Sequence, residues 1–155
     1  MIDLSQTKNL ELVREIVTDP AIYPFVSDDG SPKPEEWKAP EALTYCLVKD
    51  GDEILGVWIF RKCNAVTWEV HTCLLSNARG KRGYQALKML PEWAWNNLEG
   101  AQRIITEVVE DNQPALVFAL RAGMDKFGVN KKSYLKGGKL LDAILLGISR
   151  GEICQ

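Results

Sequence analysis

The sequence predicts a mixed α/β domain built on a central sheet, and three observations carry that reading. Two apolar segments, residues 43–48 and 54–60, flank Asp50-Gly51-Asp52, a strong hairpin signal. A third alternating segment, residues 67–75, runs into a basic, glycine-bearing turn and then a helical pattern. A strand-like segment at 103–109 is followed by a second helical pattern. At 155 residues the chain is one domain's worth, so 1–155 is read as a single domain.

Taken in order, residues 9–19 place Leu12, Val13, Ile16 and Val17 on one helical face, and Pro20 closes the element. Residues 23–40 hold Pro24, Gly30, Pro32, Pro34 and Pro40 together with Tyr23, Phe25 and Trp37. Such an excursion packs its aromatics over something, and a loop of this kind often shapes a substrate site. After the hairpin and the third strand, a helix is expected over about 84–98, kinked or divided at Pro91. The second helix runs over 114–122, with proline tolerated in its first turn and Gly123 ending it. The tail is ambiguous by period: Leu140, Leu141, Ile144, Leu145 and Ile148 suit a helix, while the turn Lys136-Gly137-Gly138-Lys139 suits a hairpin.

Composition excludes several classes. Nineteen Lys+Arg against 21 Asp+Glu give a net charge of −2, which argues against a nucleic-acid-coating protein. No apolar run approaches the roughly 18 residues of a membrane span, and the first residues hold no signal-peptide core. Cys46, Cys63, Cys73 and Cys154 lie far apart with no C-x₂-C pair, so no metal site is expected and a reducing cytoplasm is the simplest location.

The most informative stretch is Ser76-Asn77-Ala78-Arg79-Gly80-Lys81-Arg82-Gly83-Tyr84. A glycine-bearing basic turn entering a helix N-terminus lets backbone N–H groups converge on an anion, with Arg79, Lys81 and Arg82 adding charge. The competing reading is an exposed loop with solubilising charges. Further on, Asp111-Asn112-Gln113-Pro114-Ala115 opens the next helix, which ends at Arg121-Ala122-Gly123-Met124.

With Arg79-Gly80-Lys81 and Gly83 in the loop, and Asn112, Ala115 and Gly123-Met124 on the second helix, the chain resembles the GNAT acyltransferases over roughly 42–150. Its tail, with Asp142 after the turn, is similar to the last hairpin of the branch that acetylates ribosomal-protein N-termini, and to small GNAT-like proteins of tailed bacteriophages. The resemblance implies a GNAT fold: a largely antiparallel sheet, splayed between 67–75 and 103–109, with helices on both faces. It also resolves the tail in favour of strands. It implies acetyl-CoA as cofactor and direct transfer of the acetyl group to a primary amine: a protein N-terminus, a lysine or a small amine. In that reading the backbone of Leu74 and Leu75 pairs with the pantetheine arm. Arg79, Gly80, Lys81, Arg82, Gly83 and Tyr84 hold the pyrophosphate, and Asn112 contacts the CoA arm. A homodimer is one assembly compatible with such a protein.

Two departures stand out. The loop reads R-G-K-R-G where the family writes R-G-K-G, one residue longer. The helix position that often carries a proton-donating Tyr is Ala119, with Tyr84 and Tyr134 as substitutes. They support an alternative, a catalytically degenerate GNAT-fold protein with a binding or structural role, including one in a phage virion. For catalysis the candidates are Glu69 and His71, which share a strand face about 7 Å apart. An amine must be neutral to attack, so a base that removes its proton has a clear role. His71 is the only histidine, and its imidazole suits that task. The competing reading is an ordinary hydrogen-bonded strand histidine.

Overall fold

Alternating apolar residues build most of the molecule. The computed structural model describes residues 1–152, so the expectation for Cys154 falls outside the described residues. Seven strands, β1 (Ile2–Thr7), β2 (Thr44–Asp50), β3 (Glu53–Lys62), β4 (Thr67–Leu74), β5 (Arg103–Val109), β6 (Asp125–Lys136) and β7 (Lys139–Ser149), form one sheet. Their order is β1-β2-β3-β4-β5-β7-β6. Every neighbouring pair is antiparallel except β4–β5. The tail is therefore the hairpin, turned by Gly137 and Gly138 at φ +58° and +74°. β1 was not anticipated: its short charged-apolar alternation gains strand structure by pairing with β2, from Ile2↔Asp50 to Thr7↔Tyr45.

The sheet buries both faces, because its strands alternate between two apolar clusters. On one face Val13, Ile16 and Val17 of α1 (Leu10–Val17) pack over Tyr45, Leu47, Val57, Ile59 and Cys73. Asn9 caps that helix, its Oδ1 accepting from the Leu12 N–H at 3.1 Å. On the other face α3 (Lys81–Asn97) and α4 (Gln113–Arg121) cover Trp58, Phe60, Val70 and Ile104. Helix α3 starts three residues earlier than expected and runs through Pro91 without a break. Pro91 is buried, as are Leu87, Leu90 and Ala94 of the same helix, so burial of this face offsets the hydrogen bond the proline loses.

The proline-rich excursion folds a short helix, α2 (Tyr23–Val26), and a 3₁₀ turn, Pro34–Glu36. Arg14 on α1 ties the second half down, donating to the carbonyls of Trp37 and Glu35. The first half docks on the far hairpin. The Asp29 carboxylate accepts from the N–H groups of Gly137 and Gly138, both at 2.8 Å, and its own N–H donates to the Leu135 carbonyl at 2.8 Å.

Candidate active site

Two strands part at the centre of the sheet. β4 and β5 pair in parallel only at Thr67↔Arg103, Trp68↔Ile104 and Glu69↔Ile105. At the next step the Thr106 hydroxyl donates to the Val70 carbonyl at 2.8 Å, and beyond it the strands separate. The same register, continued, would set Glu107 opposite His71. These two residues thus stand on the two lips of the opening.

Backbone groups face into the opening on one side. The Leu75 N–H donates to Leu55 of β3 at 2.8 Å, and its carbonyl accepts from the Ala78 N–H at 3.0 Å. Leu75 is therefore fully engaged, which corrects the expectation that its backbone is free for a ligand. Alternation along the antiparallel ladder turns the polar groups of Thr72 and Leu74 the other way, toward the gap. Gly56, opposite Leu74, lets β3 and β4 approach closely there: a Cβ would lie 2.2 Å from the Cys73 carbonyl.

Next along the chain is the glycine-bearing turn. A 3₁₀ turn, Ser76–Ala78, leads to Gly80 at φ +88°, a conformation that favours glycine, and α3 begins at Lys81. No side chain caps this N-terminus. The first bond inside the helix is Tyr84 N–H to the Gly80 carbonyl at 3.1 Å, so the N–H groups of Lys81, Arg82 and Gly83 have no partner within the helix. Among the described residues the side chains of Arg79 and Lys81 make no hydrogen bond or ion pair. Arg82 differs from both. Its guanidinium is bound to the Glu53 carboxylate, to the Asn77 carbonyl at 2.6 Å and, more loosely, to Asp50 at 3.5 Å. Its charge is thus paired with carboxylates, whereas those of Arg79 and Lys81 are not. The Arg82 pairing, helped by Asn77, holds the Glu53 carboxyl below its ordinary range.

A cleft of about 430 Å³ opens between this turn and α4, lined by Gly80, Tyr84, Gln113, Pro114, Val117, Phe118 and Arg121. Only Gly80 and Tyr84 were expected. Helix α4 did carry a signal for the rest, since it is apolar on more than the face its core needs: Leu116 is buried while Val117 is 44% exposed. Asn112 caps α4, its Oδ1 accepting from the Ala115 N–H at 3.4 Å.

On the α1 face, beside the opening, polar groups gather. His71 Nε2 lies 3.1 Å from Glu69 Oε1, so the two are in direct contact. Arg61 approaches the same oxygen at 3.2 Å. Hydrogen bonding from His71 leads in holding the Glu69 carboxyl below its usual range, with the Arg61 charge adding to it against the opposing effect of burial. Across the gap, the Tyr134 hydroxyl donates to Glu107 Oε2 at 3.2 Å. Burial first, then the Glu107 charge, pushes that phenol up to about 12. Sequence reasoning missed Glu107, although its alternation with Val108 on 103–109 puts it on the same face as Ile105. Cys73 is fully buried and its thiol is raised to about 12 by burial, which makes it a packing residue.

A family profile, described as the acetyltransferase (GNAT) family, matches residues 10–124. The chain belongs to the GNAT family of acetyltransferases. Solved structures agree on the fold. A spermidine N-acetyltransferase from Vibrio cholerae, in complex with CoA and spermine, superimposes with a TM-score of 0.78 at 13% identity, covering 96% of this chain and 95% of that chain. A putative phosphinothricin N-acetyltransferase gives 0.71 at 21% identity over 98% and 100% of the two chains. A ribosomal-protein-alanine N-acetyltransferase from Brucella melitensis gives 0.59 at 18% identity over 69% and 68%. Among curated proteins compared by sequence, none matches.

The acetyltransferase's own residues fit acetyl-CoA, the cofactor of the family. The uncapped N–H groups at Lys81–Gly83 and the uncommitted Arg79 and Lys81 charges suit a pyrophosphate. The largely apolar cleft against α4 and the polar, unpaired edge of β4 together suit a long, mixed-polarity arm. No described helix is long and apolar enough to cross a membrane.

Proposed function

We propose that this acetyltransferase transfers an acetyl group directly to a primary amine, with His71 as the base that deprotonates the acceptor. The observation that carries the reading is the His71–Glu69 contact on one lip of the opened sheet, beside the uncapped α3 N-terminus. Acetyl-CoA, when bound, supplies the activated acetyl thioester.

An alkylammonium cannot attack until it loses a proton. With its Nε2–H donated to Glu69, a neutral His71 leaves Nδ1 as the acceptor for that proton. Glu69, with its side chain only 14% exposed, stays ionised and fixes the ring; His71 is 43% exposed and reachable. Glu69 is thus the orienting partner and His71 the base. Across the gap Glu107 presents a second carboxylate, steadied by Tyr134, that attracts the ammonium before its proton leaves. Backbone N–H groups of Lys81, Arg82 and Gly83, with the Arg79 and Lys81 side chains, hold the pyrophosphate. Thr72 and Leu74 offer backbone pairing to the pantetheine arm.

An amine acceptor also accords with the solved relatives, named for spermidine, phosphinothricin and ribosomal-protein alanine. The test is calorimetric titration with acetyl-CoA, followed by mass-spectrometric detection of transfer to a panel of peptide α-amines, lysine side chains and small amines. Micromolar binding with acetylation of at least one amine class is expected. Protein that binds no CoA species at millimolar concentration overturns the proposal.

A further inference from the structure

We propose that Arg82 and Glu53 form a clamp that holds the anion-binding turn in shape, so that Glu53 on β3, a residue with no place at the ligand, strengthens acetyl-CoA binding. The inference rests on the acetyl-CoA reading above and deepens it.

Arg82 is the last basic residue of the R-G-K-R-G loop. The structure gives it a defined use. Its guanidinium donates to both Glu53 oxygens and to the Asn77 carbonyl. Asn77 closes the ring from the other side, its Nδ2 donating to Glu53 Oε1 at 2.8 Å and to the Ile54 carbonyl at 3.1 Å. Asn77 and Arg82 bracket the segment from Ala78 to Lys81, so both ends of the turn are pinned to each other and to the first residue of β3. Between them Gly80 sits at φ +88°, a hinge with open space around it.

A turn already fixed in its binding shape loses less freedom when the ligand arrives, which raises affinity without a new contact. Arg82 and Glu53 are therefore positioning residues.

Glu53→Gln separates this clamp from a direct ligand role for Arg82. If Arg82 were a phosphate ligand restrained by Glu53, removing the carboxylate's charge would free it and tighten binding. In the clamp, Glu53→Gln weakens acetyl-CoA binding about three- to tenfold and raises the KM for acetyl-CoA to match. The kcat, the KM for the amine and the melting temperature stay near wild type. Arg82→Ala weakens binding at least as much, and combining the two changes adds little. Calorimetry and steady-state kinetics read all of this. Unchanged or tighter binding in Glu53→Gln, with wild-type protein binding normally, overturns the clamp alone. Wild-type protein that binds no acetyl-CoA overturns the clamp together with the cofactor reading.

Discussion

Gly83 offers a test in which the sign of a stability change decides the argument. In a helix interior Ala is more favourable than Gly by about 0.8–1.0 kcal/mol, and a Gly→Ala change in the first turn of α3 should gain part of that where space allows. At Gly83 space does not allow it. A Cβ there would lie 2.4 Å from the backbone carbonyl of Ala78 and 3.2 Å from Leu74 Cδ1. The carbonyl belongs to a 3₁₀ turn anchored by the Ala78 N–H to the Leu75 carbonyl, so it cannot move alone. Helix and turn must part by several tenths of an ångström, an overpacking strain of about 1–3 kcal/mol. For a chain of this length that lowers Tm by roughly 2–12 °C, at about 2–4 °C per kcal/mol. The displaced Gly83 N–H should also weaken acetyl-CoA binding about tenfold. Gly80→Ala is the comparison, because it meets no atom within 4 Å and is penalised only through its φ of +88°. Differential scanning fluorimetry and calorimetric titration of Gly83→Ala supply the readout. A Tm that rises, with unchanged affinity, would refute the packing argument.

Three further outcomes follow from the same geometry. His71→Ala should retain acetyl-CoA affinity and lose about 10²-fold in kcat, the lower end for a general base because the ring is reachable by water. The deficit should be largest near neutral pH and shrink as pH approaches the pKa of the amine; a pH-independent deficit, or none, would remove His71 from proton transfer. Tyr134→Phe should lower kcat/KM for the amine about tenfold, roughly 1.4 kcal/mol, with the KM for acetyl-CoA unchanged, since it deletes only the bond to Glu107. Equal kinetics for the two proteins would show that the hydroxyl is idle. Asp29 is held below the usual carboxylate range by the Gly138 N–H and then the Gly137 N–H. Its contribution to docking the 27–31 turn is therefore complete above the ordinary carboxyl pKa and is lost as pH falls through the lower folded value. Asp29→Asn should therefore speed amide exchange at Gly137 and Gly138 at neutral pH, where protonation does not act; unaltered exchange would contradict this docking contact.

The fold was legible wherever a local period met a turn residue. Asp50-Gly51-Asp52 marked the β2–β3 hairpin because Gly51, at φ +60°, needs glycine's freedom. Val13, Ile16 and Val17 marked α1 because three apolar residues on one helical face must be covered. β1 escaped notice for a physical reason: Ile2–Thr7 is half-exposed and owes its strand to the hydrogen bonds of β2, which no local pattern encodes. The tail could not be settled by period alone, since Leu140, Leu141, Ile144, Leu145 and Ile148 satisfy both templates. The family resemblance selected the hairpin, and the structure agrees.

The candidate site divides along the same line, between what one segment encodes and what two segments make together. Glu69 and His71 share a strand face, so their association was readable; that they touch at 3.1 Å, with Arg61 on the same oxygen, depends on side-chain rotamers and on β3. Glu107 could not be placed opposite His71 without the β4–β5 register and the point where it fails. Arg82 is the sharper case. In sequence it is one of three basic residues in a single turn, and charge alone makes Arg79, Lys81 and Arg82 equivalent. What distinguishes them is a carboxylate nearly thirty residues earlier, Glu53, brought beneath the turn by the hairpin and by the antiparallel pairing of β3 with β4. A basic residue's role in an anion site is thus decided by whether the fold supplies it with an acid of its own. Where it does, the charge is withdrawn from the ligand and converted into rigidity of the N–H groups that remain.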